Sequence, residues 1–210
     1  MGKFPKSERT RRHILHEAAT LFNMQGYAGT SMADITAATG LSKGAVYANF
    51  SSKEELAVAA FRQAVERVRA HMREHTARAH QLPEKLGALV KAYSAYADRP
   101  PVPGGCPIQN MAVEADDAYP VIREEVRRAM HAWEVRMITA LEAARARGEV
   151  RSDLASKPFA RTFLTILQGG ILMARLHGDA DYFQPAADQL HQLIQDLRNH
   201  ADDEDPARTP

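Results

Sequence analysis

Ser42, Lys43, Gly44, Ala45, Tyr47 and Asn49 fall within one run of eight residues, and their chemistry suits a nucleic-acid groove better than a catalytic centre. The Lys43 ammonium can meet a phosphate or a guanine edge. Gly44 and Ala45 carry almost no side chain, so the backbone can approach base edges, and the Ala45 methyl can pack on a thymine methyl. Tyr47 joins an apolar ring to a hydroxyl with the reach of a phosphate. Asn49 offers an amide to the same oxygens. Thr30, Ser31, Ser42 and Lys53 stand at expected helix starts, where hydroxyls and end-on backbone N–H groups bind phosphate oxygens. The basic residues between Lys3 and Arg12 could add sequence-blind affinity. The competing reading is two short helices in a bundle, with small residues present only for packing.

Other chemistry-bearing groups are sparser. His71 and His75 are i, i+4 neighbours, a spacing that can bind zinc, and His80 follows. With no third ligand at close spacing, solvated histidines are the expectation. Glu114, Asp116 and Asp117 read as a polar helix end rather than a catalytic pair. No phosphate loop, nucleophile elbow or dinucleotide fingerprint occurs. The sequence therefore predicts no catalytic residues, no resident metal and no cofactor.

The elements that would present the first set can be read locally. Ser31 followed by Asp34 is a capping-box-like helix start. Ile35 and Ala38 give the next turns an apolar side, and Gly40 is placed to end that helix in the left-handed conformation. Leu41 can plug the angle, and Ser42 is a good N-cap for a second helix over 43–49. This is the pattern of a helix-turn-helix, whose second helix enters the major groove. Ser52 and Glu55 then open a long helix from Lys53. An earlier helix, marked by Ile14, Ala18, Leu21 and Phe22, is expected to end at Gly26.

Residues 8–56 as a whole resemble the DNA-binding domain of the tetracycline-repressor (TetR) family. The similarity runs from ILHEAATLF (14–22) through Gly26-Tyr27 and Thr30-Ser31 to Ile35, GLSKGAVY (40–47), Phe50 and SKEEL (52–56). It implies a three-helix head on a larger helical body that dimerises through its last two long helices and usually holds an effector pocket. It also implies DNA contact by Thr30, Ser42, Lys43, Gly44, Tyr47 and Lys53. The chain departs from the family in having Ala48 where a histidine is frequent, which bears on which operator sequence is read. Residues 105–114 (GCPIQNMAVE) resemble a glycine-cysteine motif in the body of one branch, some of whose members sense electrophiles or oxidants. Cys106 follows two glycines and precedes Pro107, where a helix could begin, and helix N-termini favour thiolates. The alternative for Cys106 is a small buried hydrophobe.

Helical spacing continues through the remainder, with no period-2 alternation, so the fold class is all-α. Stripes are carried by Phe61, Val65, Val68 and Met72, by Leu86, Leu89, Val90 and Tyr93, and by Ile122, Val126, Met130, Trp133, Met137 and Leu141. Residues 98–105, with three prolines and two glycines, must break the helix, and 148–153 read as a turn. Residues 159–176 are apolar on nearly all sides, which predicts cover from the subunit core on one face and a second copy on the other. The expected homodimer interface is Phe163, Leu167, Gly170, Ile171 and Ala174 with Leu190, Leu193, Ile194 and Leu197. Tyr93, Tyr96, Cys106, Asn110, Met111, Trp133, Met137, Phe163 and Ile166 are expected to line an effector pocket, though each also suits an ordinary core.

At 210 residues the chain has room for a sizeable core, divided here into a DNA-binding domain (1–54), an effector-binding and dimerisation domain (55–200) and a disordered acidic tail (201–210). The net charge of +1 conceals an asymmetry. Residues 1–53 hold seven basic against three acidic side chains, so the head carries +4 and the rest −3. One cysteine, no secretion signal and no membrane-length apolar run point to the cytoplasm. The expected function is a transcriptional repressor released from a pseudo-palindromic double-stranded operator by a small molecule or thiol-reactive signal. The alternatives are a DNA-binding activator, or a small-molecule or thiol enzyme with a vestigial head.

Overall fold

The computed structural model describes residues 5–96, 98–115 and 118–197; Asp116, Asp117 and the acidic tail lie outside the described residues. Among the described residues every regular element is helical, as the sequence periodicity requires. They are α1 (Lys6–Gly29), α2 (Met32–Thr39), α3 (Lys43–Asn49), α4 (Lys53–Thr76), α5 (Leu82–Ser94), α6 (Pro107–Ala115), α7 (Pro120–Ala146), α8 (Ser156–His177) and α9 (Gln184–Gln195). A 3-10 turn, Ala180–Phe183, leads into α9. No helix among them is long and apolar enough to cross a membrane.

The chain forms two compact units, Met1–His71 with Arg99–Met130, and Met72–Asp98 with His131–Pro210. This grouping cuts across a division at residue 54, because the first unit also takes α6 and the first half of α7. Its core explains why. Ile14, Ala18 and Phe22 of α1, Ile35 of α2, Val46 of α3 and Phe50 are buried together with Leu56, Ala60 and Phe61 of α4, Met111 of α6 and Ile122 and Val126 of α7. Each large apolar side chain buried in this way contributes about 1.5–3 kcal/mol, so the head's two short helices are held by packing that begins well outside them.

α1 does not stop at Gly26 as the sequence suggests, but kinks there and continues for one further turn. Gly26 sits at φ 79°, ψ 167°, in the region that favours glycine. A Cβ at this position would lie 2.8 Å from a carboxylate oxygen of Glu114, so the kink also makes room for α6.

In the second unit α8 turns Phe159, Phe163, Leu164, Leu167, Ile171 and Ala174 inward, and α9 answers with Ala187, Leu190 and Ile194. At Gly170 the approach is tight: an added Cβ would stand 2.5 Å from the Ala186 Cβ and 2.9 Å from the Phe183 ring. The backbone thread is closed by Arg151 N–H donating to Leu197 C=O at 2.9 Å.

Candidate nucleic-acid interface

The helix-turn-helix is built by local caps. The Ser31 hydroxyl accepts from Asp34 N–H while the Asp34 carboxylate accepts from both the backbone N–H and the hydroxyl of Ser31. Those hydrogen bonds from Ser31, the hydroxyl's first, hold the Asp34 carboxyl below its ordinary value. Gly40 takes φ 65° and turns the chain out of α2. Ser42 then caps α3, accepting from Ala45 N–H at 3.2 Å. A third cap starts α4, where Glu55 N–H donates to the Ser52 hydroxyl and the Glu55 carboxylate reaches back to the N–H and hydroxyl of Ser51.

These caps leave one face of α3 open. Val46 is buried and Ala45 half-buried, whereas Ser42, Lys43, Gly44, Tyr47 and Ala48 are exposed. Nothing lies within 4 Å of where a Gly44 Cβ would stand, so backbone is presented bare at the surface. The Lys43 ammonium lies 5.8 Å from the centre of the Tyr47 ring, and Ser31 is exposed at the start of α2. Two expected contact residues behave differently. Thr30 is fully buried, with its hydroxyl donating to Gly26 C=O at 2.8 Å, so it stabilises the end of α1. The Asn49 amide folds back onto Ala45 C=O. Lys53 is half-buried, with its ammonium 4.3 Å from the centre of the Tyr27 ring.

Several residues of consequence carry no signal in the sequence. Asn23 is buried and donates to Pro103 C=O and Gly105 C=O, and its side-chain oxygen accepts from Asn110, which also donates to Asn23 C=O and Gly104 C=O. One turn further along α6, Glu114 accepts from the N–H groups of Tyr27 and Ala28, just past the kink. Burial foremost, then Glu54, Tyr119 and Glu114, pushes the Tyr27 phenol up. α6 is thereby latched along the last two turns of α1, which in turn carry the Lys53 ring contact.

The expected effector residues divide between the units. Cys106, Asn110 and Met111 belong to the first, where Cys106 is buried immediately before α6 and its C=O accepts from Asn110 N–H. Met111 lines a small pocket with Phe22, Asn23, Phe61 and Pro107 that has room for about one water molecule. Tyr93, Tyr96, Trp133, Met137, Phe163 and Ile166 belong to the second. There Tyr93 stacks near Tyr96 (5.3 Å between ring centres) and Trp133 (6.1 Å).

The expected dimer residues Phe163, Leu167, Gly170, Ile171, Ala174, Leu190, Ile194 and Leu197 are buried within the subunit, and Leu193 half-buried. The opposite face of α8 instead exposes Leu172, Met173 and Leu176. No group of three or more metal-ligating side chains occurs among the described residues.

With this geometry in place, comparison with known proteins is specific. Residues 14–60 match the family described as bacterial regulatory proteins, tetR family, and residues 83–190 match the tetracyclin repressor-like C-terminal domain. A TetR transcriptional regulator from Chloroflexus aurantiacus is 38% identical, superposes with a TM-score of 0.85, and is matched over 90% of this chain and 96% of its own. A TetR-family regulator from Cytophaga hutchinsonii is 29% identical with a TM-score of 0.84, over 94% and 98% of the two chains. The HTH-type transcriptional repressor DhaR of Mycobacterium sp. (strain GP1) is 26% identical over 79% of this chain and 82% of its own. Two adjoining family domains, an intact helix-turn-helix and a matching whole-chain fold establish that this chain belongs to the TetR family of DNA-binding transcriptional regulators.

Proposed function

We propose that the protein is a cytoplasmic, non-enzymatic homodimeric repressor that grips a pseudo-palindromic operator and leaves it when a small molecule binds its helical body. The observation that carries this reading is the outer face of α3, where Lys43, Gly44, Ala45 and Tyr47 are presented by caps that keep the backbone accessible. Ser31, Ser42 and Lys53 flank it and supply phosphate contacts, while Thr30 and Asn49 hold the local backbone. The repressor named DhaR supports the sign of regulation by similarity.

Release requires a ligand with different affinities for the DNA-competent and incompetent states. The α6 latch supports such coupling, since Asn110 and Glu114 tie α6 to the end of α1. Cys106 opens the same helix, which favours a second input through its thiol. Alkylation of that thiol is expected to release the wild-type protein while a Cys106→Ser variant stays bound; equal release of both would remove the cysteine from the mechanism.

The test of the main reading is a salt-dependent mobility shift with the DNA flanking the protein's own gene. A sequence-preferring complex whose affinity falls steeply with salt is expected. Equal binding to a scrambled duplex would overturn the repressor reading.

A further inference from the structure

α1 lies against both helices of the DNA-binding motif, and two of its side chains end on their last carbonyls. Arg11 donates through Nη1 to the C=O of Asn49, the final residue of α3, at 2.5 Å. Its guanidinium also lies over the Phe50 ring, 4.0 Å from the centre, and its charge helps to lower the Glu55 carboxyl. His13 places Nε2 3.0 Å from the C=O of Thr39, the final residue of α2. A carbonyl only accepts, so Nε2 carries the proton in this contact.

Helix C-termini leave carbonyls without intrahelical partners and carry the negative end of the dipole. Neither α2 nor α3 has a basic residue in its own last turn. At eight and seven residues they are also too short to be stable alone. Their orientation must therefore be fixed from outside, and α1 provides a donor for each end.

We propose that Arg11 and His13 are positioning residues for DNA recognition: from α1 they cap the C-termini of α3 and α2 and so set the angle of the recognition helix. Arg11 is on this account no part of a phosphate-binding arm. Its role needs the planar fork, because one group must bond a carbonyl and stack on a ring together, which a lysine ammonium cannot reproduce.

The experiment uses the full-length protein, a duplex selected by the wild type from a random pool, and a scrambled duplex of equal length. Wild-type preference for the selected duplex checks DNA reading by α3 independently. Arg11→Lys keeps the charge and is expected to weaken the selected duplex about tenfold, leaving scrambled binding and the salt slope unchanged. Amide exchange at Phe50 N–H, which closes α3 onto Val46, should quicken in that variant. His13→Ala should quicken exchange at Gly40 N–H, which bonds Ala37. Wild-type affinity in Arg11→Lys would overturn the proposal. So would an Arg11→Met variant that weakens both duplexes equally and lowers the salt slope by about one, since that marks a phosphate contact.

Discussion

At the scale of single residues, stability and function separate most cleanly at Gly44. Its Cβ position is open and its helix gains from alanine, which is favoured over glycine by about 0.5–1 kcal/mol inside a helix. Gly44→Ala is therefore expected to melt at the same temperature or slightly higher while binding operator more weakly, because the added methyl stands between backbone and base edges. Lys43→Ala should weaken selected and scrambled duplexes alike if the ammonium meets phosphate, and only the selected one if it meets a base. Calorimetry and mobility shifts on the same preparations check both. A Gly44→Ala variant of unchanged affinity would remove this face from the groove.

Glu125 gives the clearest pH dependence. It is buried to 9% exposure and receives a two-point contact from Arg62, at 2.7 and 2.8 Å, with a further bond from Arg128. Hydrogen bonding from Arg62 leads the causes that lower its carboxyl below the ordinary 4.5. A folded-state value below the unfolded one means stability that is present above about 4.5 and is lost as pH falls through the folded value. Arg62 is mostly exposed, so solvent screening limits the pair to about 1 kcal/mol. Glu125→Gln should thus be destabilised near neutral pH and converge with the wild type in acid, as denaturant titrations across pH would show.

At the scale of elements, legibility followed the range of the interactions. The turns around α2 and α3 were readable because Ser31 with Asp34, Gly40, and Ser42 with Ala45 act within a few residues of one another. The latch was not, since Glu114 meets Tyr27 across 87 positions and neither residue announces the other. α8 illustrates a different limit. Apolar residues on most of its circumference conceal which side faces the core, so the interior stripe was assigned to a partner. Gly169 and Gly170 resolve the phase: the first meets nothing within 4 Å and the second would strike Phe183 and Ala186. Gly170→Ala is expected to cost about 1–3 kcal/mol through overpacking, with Gly169→Ala neutral or stabilising in the isolated subunit. Equal effects in thermal unfolding would contradict this phase.

At the scale of the whole molecule, the same phase says which surface a second copy would cover. Leu172, Met173 and Leu176 are 53%, 43% and 73% exposed and lie at helical spacing on the side of α8 turned away from its own core. An apolar row of this kind is a poor solvent-facing surface and a good isologous one, where each copy presents the same residues to the other. Leu172 and Leu176 make no part of the subunit core, so a double change to glutamate leaves internal packing intact while placing like charges across a two-fold axis. Sedimentation is expected to move from twice the chain mass to one, with helical circular dichroism retained. Operator binding should fall by orders of magnitude, because a monomer holds one half-site where the dimer holds two, whereas the salt slope per subunit should persist. A variant that still sediments as a dimer would place the interface elsewhere on the body.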